Sequence, residues 1–347
     1  MKIISSSVKI LDNDWSIKGI FRAIERAGRT CYKSVGTRYF RLLEGPENSL
    51  ESNLIKQAQS DPRVVCKKGA DFDPAYYLSI PNKFISDYLN IEQFNEETFE
   101  DSPYYENLTS EDFVDMLMKS GHGAMLEHGT VYLRIPDIYS DGQYIYPAKG
   151  RYVNNKYSRV NTKLEGPANF QHIVTFVTTN FRVLVENNWL DDLKYVCEPI
   201  EYHAKRITAR FICDRGVSHE IVRHRVMSFA QESTRYCNYS KSKFSQELTF
   251  IEPAWEFPSS NIVNTKERFE AMLEEAEANY MELITLGFKP QEARAILPNA
   301  LKTEIVVTGF IDDWKHFFEL RCDNAAHPDI RKLALNLQKQ FTERNLI

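Results

Sequence analysis

The chain has 347 residues, of which 43 are Lys or Arg and 48 are Asp or Glu, so its formal net charge at pH 7 is −5. Hydrophobic residues make up 43% and charged residues 26%, which is ordinary for a folded protein and excludes collagen-like or wholly disordered chains. The slight acidic excess also disfavours a general nucleic-acid coat, which needs a strongly basic face. At about 150 residues per domain, the length permits one large domain or two ordinary ones.

The sequence predicts a cytoplasmic protein that does not bind membranes. Its apolar stretches fall short of the roughly 18 residues that a membrane-spanning helix needs. Residues 1–15 carry acids and lack the apolar core of a secretion signal. The six cysteines form no CxxC pair, which disfavours a zinc ribbon or a thioredoxin-type motif. We therefore expect reduced thiols and no metal site.

Helices are predicted where apolar residues recur every three or four positions and where capping residues flank them. Ile17, Ile20 and Ile24, for example, fall on one helical face. The predicted helices are 14–32, 50–60, 82–88, one from Thr109 to about Leu117 that Gly121 closes, 190–203, a short one before Arg223, 264–286 closed by Gly287, one that begins at Pro290, 313–320 and 328–341.

Strands are predicted at 131–135, 172–179, 207–213 and 304–308, where β-branched, aromatic and other apolar residues alternate with polar ones or form a short buried run. The polar stretches 34–108 and 137–168 are expected to be mostly loops. Helices and strands interleave without a regular βαβ repeat, so the predicted fold class is α+β, or mixed α/β. No linker is evident, which favours one elaborated domain over residues 1–347.

Two common nucleotide-binding motifs are absent from the sequence. No GxGxxG follows a predicted strand and no GxxxxGK[ST] is present, so a dinucleotide would be held by some other cradle. His122, Glu127 and His128 have neither HExxH nor HxxEH spacing. These side chains are expected to cap a helix end or to hydrogen-bond a ligand rather than to bind zinc.

Residues 223–236 form the most informative segment. They read RHRVMSFAQESTRY and combine three arginines with a histidine and several hydroxyl groups. Arginine offers a planar, permanently charged fork that suits phosphate, and Gln231 can read an amide edge such as that of a pyrimidine. A solvated basic face is the alternative for Arg223, His224 and Arg225 taken alone. The added Gln, Ser and Arg favour a phosphate site.

The segment also carries a family resemblance. Arg223-His224-Arg225, followed after seven residues by Ser233, resembles the RHRx7S signature of the flavin-dependent thymidylate synthases, the ThyX family. Further stretches resemble that family in the same order along the chain: 26–31 (RAGRTC), 121–128 (GHGAMLEH), 292–298 (EARAILP) and 319–321 (ELR). The resemblance covers the start of the chain, 110–135 and most of 205–340.

The resemblance implies a reaction in which FAD takes a hydride from NADPH, methylene-tetrahydrofolate supplies one carbon, and dUMP becomes dTMP. It also implies a central mixed sheet flanked by long helices, with insertions at about 34–108 and 137–200. The expected partners are dUMP, folate and further copies of the chain in a homotetramer with shared sites, without nucleic acid. Such chemistry requires no protein nucleophile, because the reduced flavin carries the reducing equivalents.

Residue roles follow from the matching positions. Arg321 is expected to be catalytic, by activating the uracil ring. The residues expected to bind dUMP are Glu220, Arg223, Gln231, Ser233, Thr234, Arg235, Arg294 and Arg321. The residues expected to bind FAD are Glu127, Arg223, His224, Arg225, Gln231 and His316. His122 and Tyr236 are expected near the folate and flavin rings.

Several positions depart from the family pattern. Ala124 stands where a hydroxylic residue often meets FAD, Gln231 where some members have Glu, and Glu220 where Gln is common. Phe310 and Asp312 stand where an Asn-x-Arg pair helps to hold FAD. The last change removes one positive charge from the region expected for the adenosine phosphates.

Alternative interpretations remain for single residues and for the whole chain. Arg294 could form a structural ion pair with Glu292 or Glu304, and Arg321 could be a helix-terminal charge favoured by the helix dipole. His224 and His316 could be ordinary hydrogen-bonded histidines. The chain could instead be another flavin- or folate-dependent enzyme that modifies pyrimidine nucleotides. It could also be a nucleic-acid-binding protein, which the negative net charge disfavours.

Overall fold

In the computed structural model the described residues are 1–33, 37–42, 50–68, 76–81, 109–136, 138–140, 143–145, 147–167, 172–241 and 246–347. The chain divides into two compact units, Met1–Lys33 with Gly121–Ile347, and Ser34–Ser120. The first predicted insertion, 34–108, falls within the second unit. The prediction of one catalytic domain for the whole chain stays a prediction.

Helices and strands are numbered here in chain order through the described residues. The helices are α1 (Ile17–Tyr32), α2 (Leu50–Ser60), α3 (Thr109–Lys119), α4 (Gly123–Leu126), α5 (Pro147–Val153), α6 (Phe181–Glu186), α7 (Arg215–Ile221), α8 (Thr265–Thr285), α9 (Pro290–Ala293), α10 (Ile311–Arg321) and α11 (Pro328–Glu343). The strands are β1 (Lys2–Ser5), β2 (Ser7–Leu11), β3 (Thr37–Leu42), β4 (Val65–Lys68), β5 (Tyr76–Pro81), β6 (Thr130–Pro136), β7 (Ile138–Ser140), β8 (Gln143–Ile145), β9 (Arg159–Glu165), β10 (His172–Asn180), β11 (Arg206–Asp214), β12 (Ser228–Gln231), β13 (Thr249–Glu252) and β14 (Lys302–Phe310).

A four-stranded sheet in the order β12-β14-β11-β2 is the centre of the first unit. Its strand pairs are antiparallel, and β11 matches β14 residue for residue from the Arg206–Phe310 pair to the Asp214–Lys302 pair. A second antiparallel sheet has the order β6-β10-β9, and β1 pairs in parallel with β13. The predicted α+β class is confirmed, and the parallel pair lies outside the four-stranded sheet.

The main core lies between the four-stranded sheet and helices α10 and α11. Alternation along β11 turns Ala209, Phe211 and Cys213 inward, where each is fully buried. From α10, Trp314 packs among these residues and its indole Nε1 donates a hydrogen bond to the Ile207 carbonyl at 3.1 Å. The indole thus buries a large apolar surface without leaving its N–H group unpaired.

Most of the elements predicted in this unit are confirmed, because their signals are local. Ser16 caps α1 by accepting a hydrogen bond from the Gly19 amide, and Asn264 caps α8 through the Glu267 amide. Gly287, just beyond α8, has a φ of +95°, the left-handed conformation that ends many helices. The predicted strands 131–135, 172–179, 207–213 and 304–308 correspond to β6, β10, β11 and β14.

The predicted helix 190–203 is wrong. Only Leu190–Tyr195 is helical, as a 3-10 helix, and Val196 is already extended with a ψ of 135°. Pro199 lies three residues further on, and proline disfavours helical backbone at the residue before it. The chain then runs beside β6, where the Cys197 amide donates to the Tyr132 carbonyl at 3.0 Å.

The second unit contains strands that the sequence analysis missed within the polar stretch 34–108. Here β3, β5 and β4 form an antiparallel sheet in that order, accompanied by α2 and α3. Both helices were predicted, whereas the predicted helix 82–88 lies outside the described residues. Strands β7, β8 and β9 were likewise missed in 137–168. None of the helices in the described part of the chain is both long and apolar enough to cross a membrane.

Two leucines on α11 test the role of its buried face. Leu337 is fully buried in the core, whereas the Leu335 side chain is 40% exposed. Leu337→Ala should lower the free energy of unfolding by about 2–5 kcal/mol, because the methyl groups are lost and a cavity remains. Leu335→Ala should change it by less than about 0.5 kcal/mol. Urea unfolding followed by circular dichroism measures both, and equal losses would contradict this assignment of the core face.

Candidate active site

The segment 223–236 links α7 to the central sheet. His224 is buried, whereas Arg223 and Arg225 on either side of it are exposed. The chain then enters β12, which pairs with β14 so that Gln231 lies opposite Ile305. The local fold therefore turns one ring inward and leaves two guanidinium groups at the surface.

Arg321, the last residue of α10, joins two of the predicted site residues. Its Nη1 donates to a Glu220 carboxylate oxygen at 2.6 Å, and its Nη2 donates to the Glu220 carbonyl at 3.1 Å. Its Nε donates to His224 Nε2 at 3.0 Å. Three donors in a fixed planar fork define the orientation of this guanidinium group closely. Arg321 is therefore more than a helix-terminal charge.

His224 is held in its neutral form. Burial, the positive charge of Arg321 and the neighbouring His316 lower the pKa of His224 to about 4. A neutral ring agrees with the hydrogen bond from Arg321, since Nε2 must be unprotonated to accept it. The ring also contacts Phe317 edge-to-face, with centroids 4.9 Å apart, and lies 6.1 Å from the exposed ring of His316.

Further predicted residues meet around the end of β12. The Gln231 amide nitrogen donates to the hydroxyls of Ser218, at 2.8 Å, and Thr303, at 3.2 Å. Arg294 Nη1 donates to the hydroxyl of the buried Thr234 at 3.3 Å. These bonds fix the Gln231 side chain and connect Arg294, which lies 60 positions away, to the 223–236 segment.

Among the described residues, no acidic side chain neutralises the charges of four arginines of the site. Within the described ranges, Arg223, Arg225, Arg235 and Arg294 have no carboxylate within 4.0 Å. The alternative ion pair of Arg294 is not observed: Glu304 pairs with Lys33 instead. Guanidinium groups without carboxylate partners remain available to an anionic ligand.

An aromatic cluster joins the start of the chain to the site. The Tyr32 ring stacks on His122, with centroids 5.8 Å apart and an interplanar angle of 20°, and the Tyr32 hydroxyl hydrogen-bonds to His122 Nδ1. Tyr32 also lies 5.5 Å from the exposed ring of Tyr236. Tyr32 is not among the site residues predicted from the sequence, although it directly follows the matched stretch 26–31.

The side chains of the 121–128 stretch have separate partners. Glu127 accepts a hydrogen bond from Arg182 Nη1 at 2.6 Å. The buried His128 is bonded through Nδ1 to the Thr308 hydroxyl at 2.9 Å, and burial together with the charge of Arg206 lowers its pKa to about 3. Within the part of the chain that the structure describes, Glu127 forms no hydrogen bond or ion pair with the side chain of another predicted site residue.

The divergent position Phe310 lies in positively charged surroundings. Its ring is buried, with the guanidinium carbons of Arg159 at 4.6 Å and of Arg206 at 5.5 Å from its centroid. Asp312 is 91% exposed and lies 3.8 Å from Lys315. Asp312 stands where the family pattern has an arginine, but Arg159 and Arg206 still provide positive charge in this region.

The neutral state of His224 predicts a pH dependence of stability. Its pKa is about 4 in the folded protein and about 6.5 in an unfolded chain, so the unfolded chain binds more protons between these values. The free energy of unfolding should therefore fall as the pH falls from 6.5 to 4, by at most about 1.4 kcal/mol per pH unit for this residue.

His224→Gln, which keeps an acceptor for Arg321, should make this dependence less steep. Part of it should remain, because burial also lowers the pKa of His128 and of His203. Urea unfolding at a series of pH values measures the slope. Identical slopes for the variant and the parent protein would show that His224 is not held neutral.

The comparisons with known proteins match the region of the chain that contains the 223–236 segment. Residues 199–344 match the family model described as thymidylate synthase complementing protein. A flavin-dependent thymidylate synthase of Pyrococcus furiosus is 33% identical over 44% of this chain and 61% of its own length. Those of Geobacter sulfurreducens and Thermococcus onnurineus are 34% and 35% identical, over 35% and 41% of this chain.

The extent of these matches is limited. The chain spans 50–61% of the length of these three relatives. The matched region contains the 223–236 segment, Arg294, His316 and Arg321. Residues 199–344 thus match the family model of the thymidylate synthase complementing proteins, and the resemblance that the motifs predicted is confirmed for this region.

Proposed function

We propose that the protein is a flavin-dependent thymidylate synthase that converts dUMP to dTMP with methylene-tetrahydrofolate and NADPH. The observation that carries this proposal is the contact of Arg321 with Glu220 and His224. It brings the matched C-terminal stretch 319–321 to the RHR signature. An arginine with a purely structural role would not need to lie beside the RHR signature.

Arg223, Arg235 and Arg294 suit the phosphate and sugar of dUMP. They carry permanent charges without carboxylate partners within the described ranges, so a phosphate binds without first displacing an acid. Arg294 is further oriented by Thr234. Gln231, Ser233 and Glu220 would orient the nucleotide, in agreement with the matched positions.

The residues proposed for FAD fit an anionic, flat ligand. Arg225 is exposed and lacks a carboxylate partner in the described part of the chain, and the exposed His316 offers a ring beside the buried, neutral His224. Arg159 and Arg206 add positive charge around Phe310. When bound, FAD supplies the hydride that reduces the transferred one-carbon unit. Glu127, Arg223 and Gln231 complete the proposed set.

Arg321 is the proposed catalytic residue. As C5 of dUMP attacks the one-carbon carrier, negative charge builds along the N3–O2 edge of the uracil ring. A guanidinium group that Glu220 and His224 already hold in place stabilises such charge without reorganising. Arg321 thus acts more on the transition state than on the bound nucleotide.

We also propose that the protein is a cytoplasmic homotetramer whose subunits share the sites, as the matched positions imply. His122 and Tyr236 would lie near the folate and flavin rings. The stacking of His122 on Tyr32 supports this placement, because aromatic side chains provide flat surfaces for such ligands.

The proposal is tested with the purified protein. It should be yellow with about one FAD per chain, and it should form dTMP from dUMP, methylene-tetrahydrofolate and NADPH. Omission of NADPH or folate is the control, and dCMP in place of dUMP tests a related pyrimidine substrate. A colourless protein that takes up no FAD and forms no dTMP would refute the proposal. If product formed with dCMP but not with dUMP, the substrate would be dCMP rather than dUMP.

Removal of Arg294 should weaken nucleotide binding. A hydrogen bond to a charged group contributes about 1.5–3 kcal/mol, so Arg294→Ala should raise the Kd of dUMP by about 10- to 150-fold. Arg268→Ala, which removes an exposed arginine from α8, is the control and should leave the Kd unchanged. Isothermal titration calorimetry measures both values. An unchanged Kd in Arg294→Ala would show that the role of Arg294 is structural.

Removal of Arg321 should affect turnover more than binding. Loss of one preorganised donor typically lowers a rate by about 10²–10³, so Arg321→Ala should form dTMP at least about a hundredfold more slowly. Flavin reduction by NADPH should continue, and Arg321→Lys should restore only part of the rate, since an ammonium group cannot reproduce the fork. The measurement is single-turnover dTMP formation by pre-reduced enzyme with saturating dUMP. A near-normal rate in Arg321→Ala would remove this residue from the chemistry.

A further inference from the structure

A partly buried network of charged side chains lies directly beside the predicted nucleotide-binding residues. Its centre is Glu232, between Gln231 and Ser233, whose side chain is only 2% exposed. We call this set the Glu232 network; its members are Lys33, Arg210, Glu232, Lys302 and Glu304. None of these five residues is among those predicted from the sequence to bind a ligand or to take part in catalysis.

Glu232 is surrounded by donors. Lys302 Nζ lies 2.8 Å from one carboxylate oxygen and Lys33 Nζ lies 3.6 Å from the same atom. The Tyr239 hydroxyl donates to the other oxygen at 3.1 Å. Because these groups occupy both oxygens and the side chain is buried, Glu232 does not itself face a ligand.

Glu304 completes the network. It forms an ion pair with Lys33, and Arg210 Nη1 lies 3.5 Å from its carboxylate. Burial opposes ionisation of Glu304, but Lys33, Arg210 and Lys302 outweigh this effect and lower its pKa. Lys33 therefore connects two carboxylates, one on β14 and one beside the candidate site.

The backbone around Glu232 is tied to the same elements as its side chain. The Glu232 amide donates to the Glu304 carbonyl of β14 at 2.8 Å, and the Ser233 amide donates to the Cys31 carbonyl at the end of α1 at 3.0 Å. Side-chain and main-chain bonds thus both fix the short stretch Gln231–Ser233 between β14 and α1.

Stability alone does not explain such a network. Removing charges from water is costly, and well-packed apolar side chains of similar size often stabilise a fold as well or better. What a network of fixed geometry adds is orientation of the groups attached to it. Here the attached groups are Gln231, Ser233 and Thr234, three residues expected at dUMP.

We propose that the Glu232 network positions Gln231, Ser233 and Thr234 for the nucleotide, and that Glu232 and Lys302 are positioning residues of the site. The inference rests on the proposed function for the identity of the ligand. The rigidity of the segment itself does not depend on that function, so the two can be tested separately.

The chain offers a matched control in Asp192. This buried carboxylate accepts a hydrogen bond from the Tyr152 hydroxyl at 2.9 Å and lies 3.4 Å from Arg151 Nη1. It therefore resembles Glu232 in burial and in its partners, but it lies in the 3-10 helix Leu190–Tyr195, which carries none of the predicted site residues. Asp192→Asn and Glu232→Gln each remove one charge with little change in shape.

Binding of dUMP is the first measurement. Loss of a coupled buried interaction typically changes an equilibrium by about tenfold, so Glu232→Gln should raise the Kd of dUMP by about that factor or more. Asp192→Asn should leave it within about twofold even if its melting temperature falls equally. Equal effects of the two variants on the Kd would overturn the proposal.

Tyr239→Phe provides a second test in case Glu232→Gln does not fold. It removes only the hydroxyl that donates to Glu232, and it should weaken dUMP binding by a smaller factor in the same direction. Unchanged dUMP affinity in a folded Tyr239→Phe protein would count against a positioning role.

Hydrogen–deuterium exchange is the second measurement and needs no ligand. The amides of Ser233 and Cys237 are bonded to the Cys31 and Ser233 carbonyls, and they should exchange faster in Glu232→Gln or Tyr239→Phe but not in Asp192→Asn. If the parent protein does not bind dUMP, the proposed function fails while this comparison still decides the positioning role. Equal exchange in all variants would overturn that role.

Discussion

The antiparallel pairing of β11 with β14 is the interaction on which both the core and the candidate site depend. The two strands match over their full length, from Arg206 opposite Phe310 to Asp214 opposite Lys302. Helix α7 leaves the far end of β11, and α10 leaves the opposite end of the sheet after β14. A contact between α7 and the end of α10 therefore requires α10 to return along the sheet.

Three contacts trace this return. Trp314, in the first turn of α10, bonds to the Ile207 carbonyl near the start of β11, and Phe317 lies 6.1 Å from Phe211 in the middle of that strand. Arg321 then reaches Glu220. Eleven residues of helix rise about 16 Å, enough to carry Arg321 from one end of the sheet towards the other. The same strand β14 also pairs with β12 and so fixes Gln231. A shift of register would therefore displace both halves of the site at once.

The sequence predicted those features whose patterns lie within a short stretch of the chain. The apolar spacing in α11 and the cap and terminal glycine of α8 are short-range patterns, and both helices form as predicted. The family resemblance also implied that Arg321 and His224 belong to one site, and these two side chains are hydrogen-bonded. The extended course after Val196 was missed because the apolar spacing continues past the point where Pro199 disfavours a helix.

The missed residues have partners far away in the chain. Lys33 and Glu304 are separated by 271 positions, and Tyr32 and His122 by 90. No spacing rule reports such pairs, since only the tertiary fold brings them together. Arg159 over Phe310 is a further example, because it comes from a stretch that was expected to be loop.

The arginines of the molecule differ in what compensates their charge, and this difference bears on the proposed chemistry. Arg206 is buried and donates hydrogen bonds to the main-chain carbonyl of Glu127 and to the hydroxyls of Thr130 and Ser228. Burial lowers the pKa of Arg206 to about 10, so its side chain is still charged at neutral pH. Arg321 is compensated by the Glu220 carboxylate.

A phosphate that approached Arg321 would have to compete with this carboxylate at 2.6 Å, whereas at Arg223, Arg235 and Arg294 it meets no such competitor within the described residues. Two negative groups on one guanidinium repel each other, and in the proposed function the dianion of a nucleotide is therefore directed to the arginines that lack a carboxylate partner in the described part of the chain. In the same proposal Arg321 is left for a neutral partner, such as the edge of a uracil ring, on which negative charge appears only as the reaction proceeds.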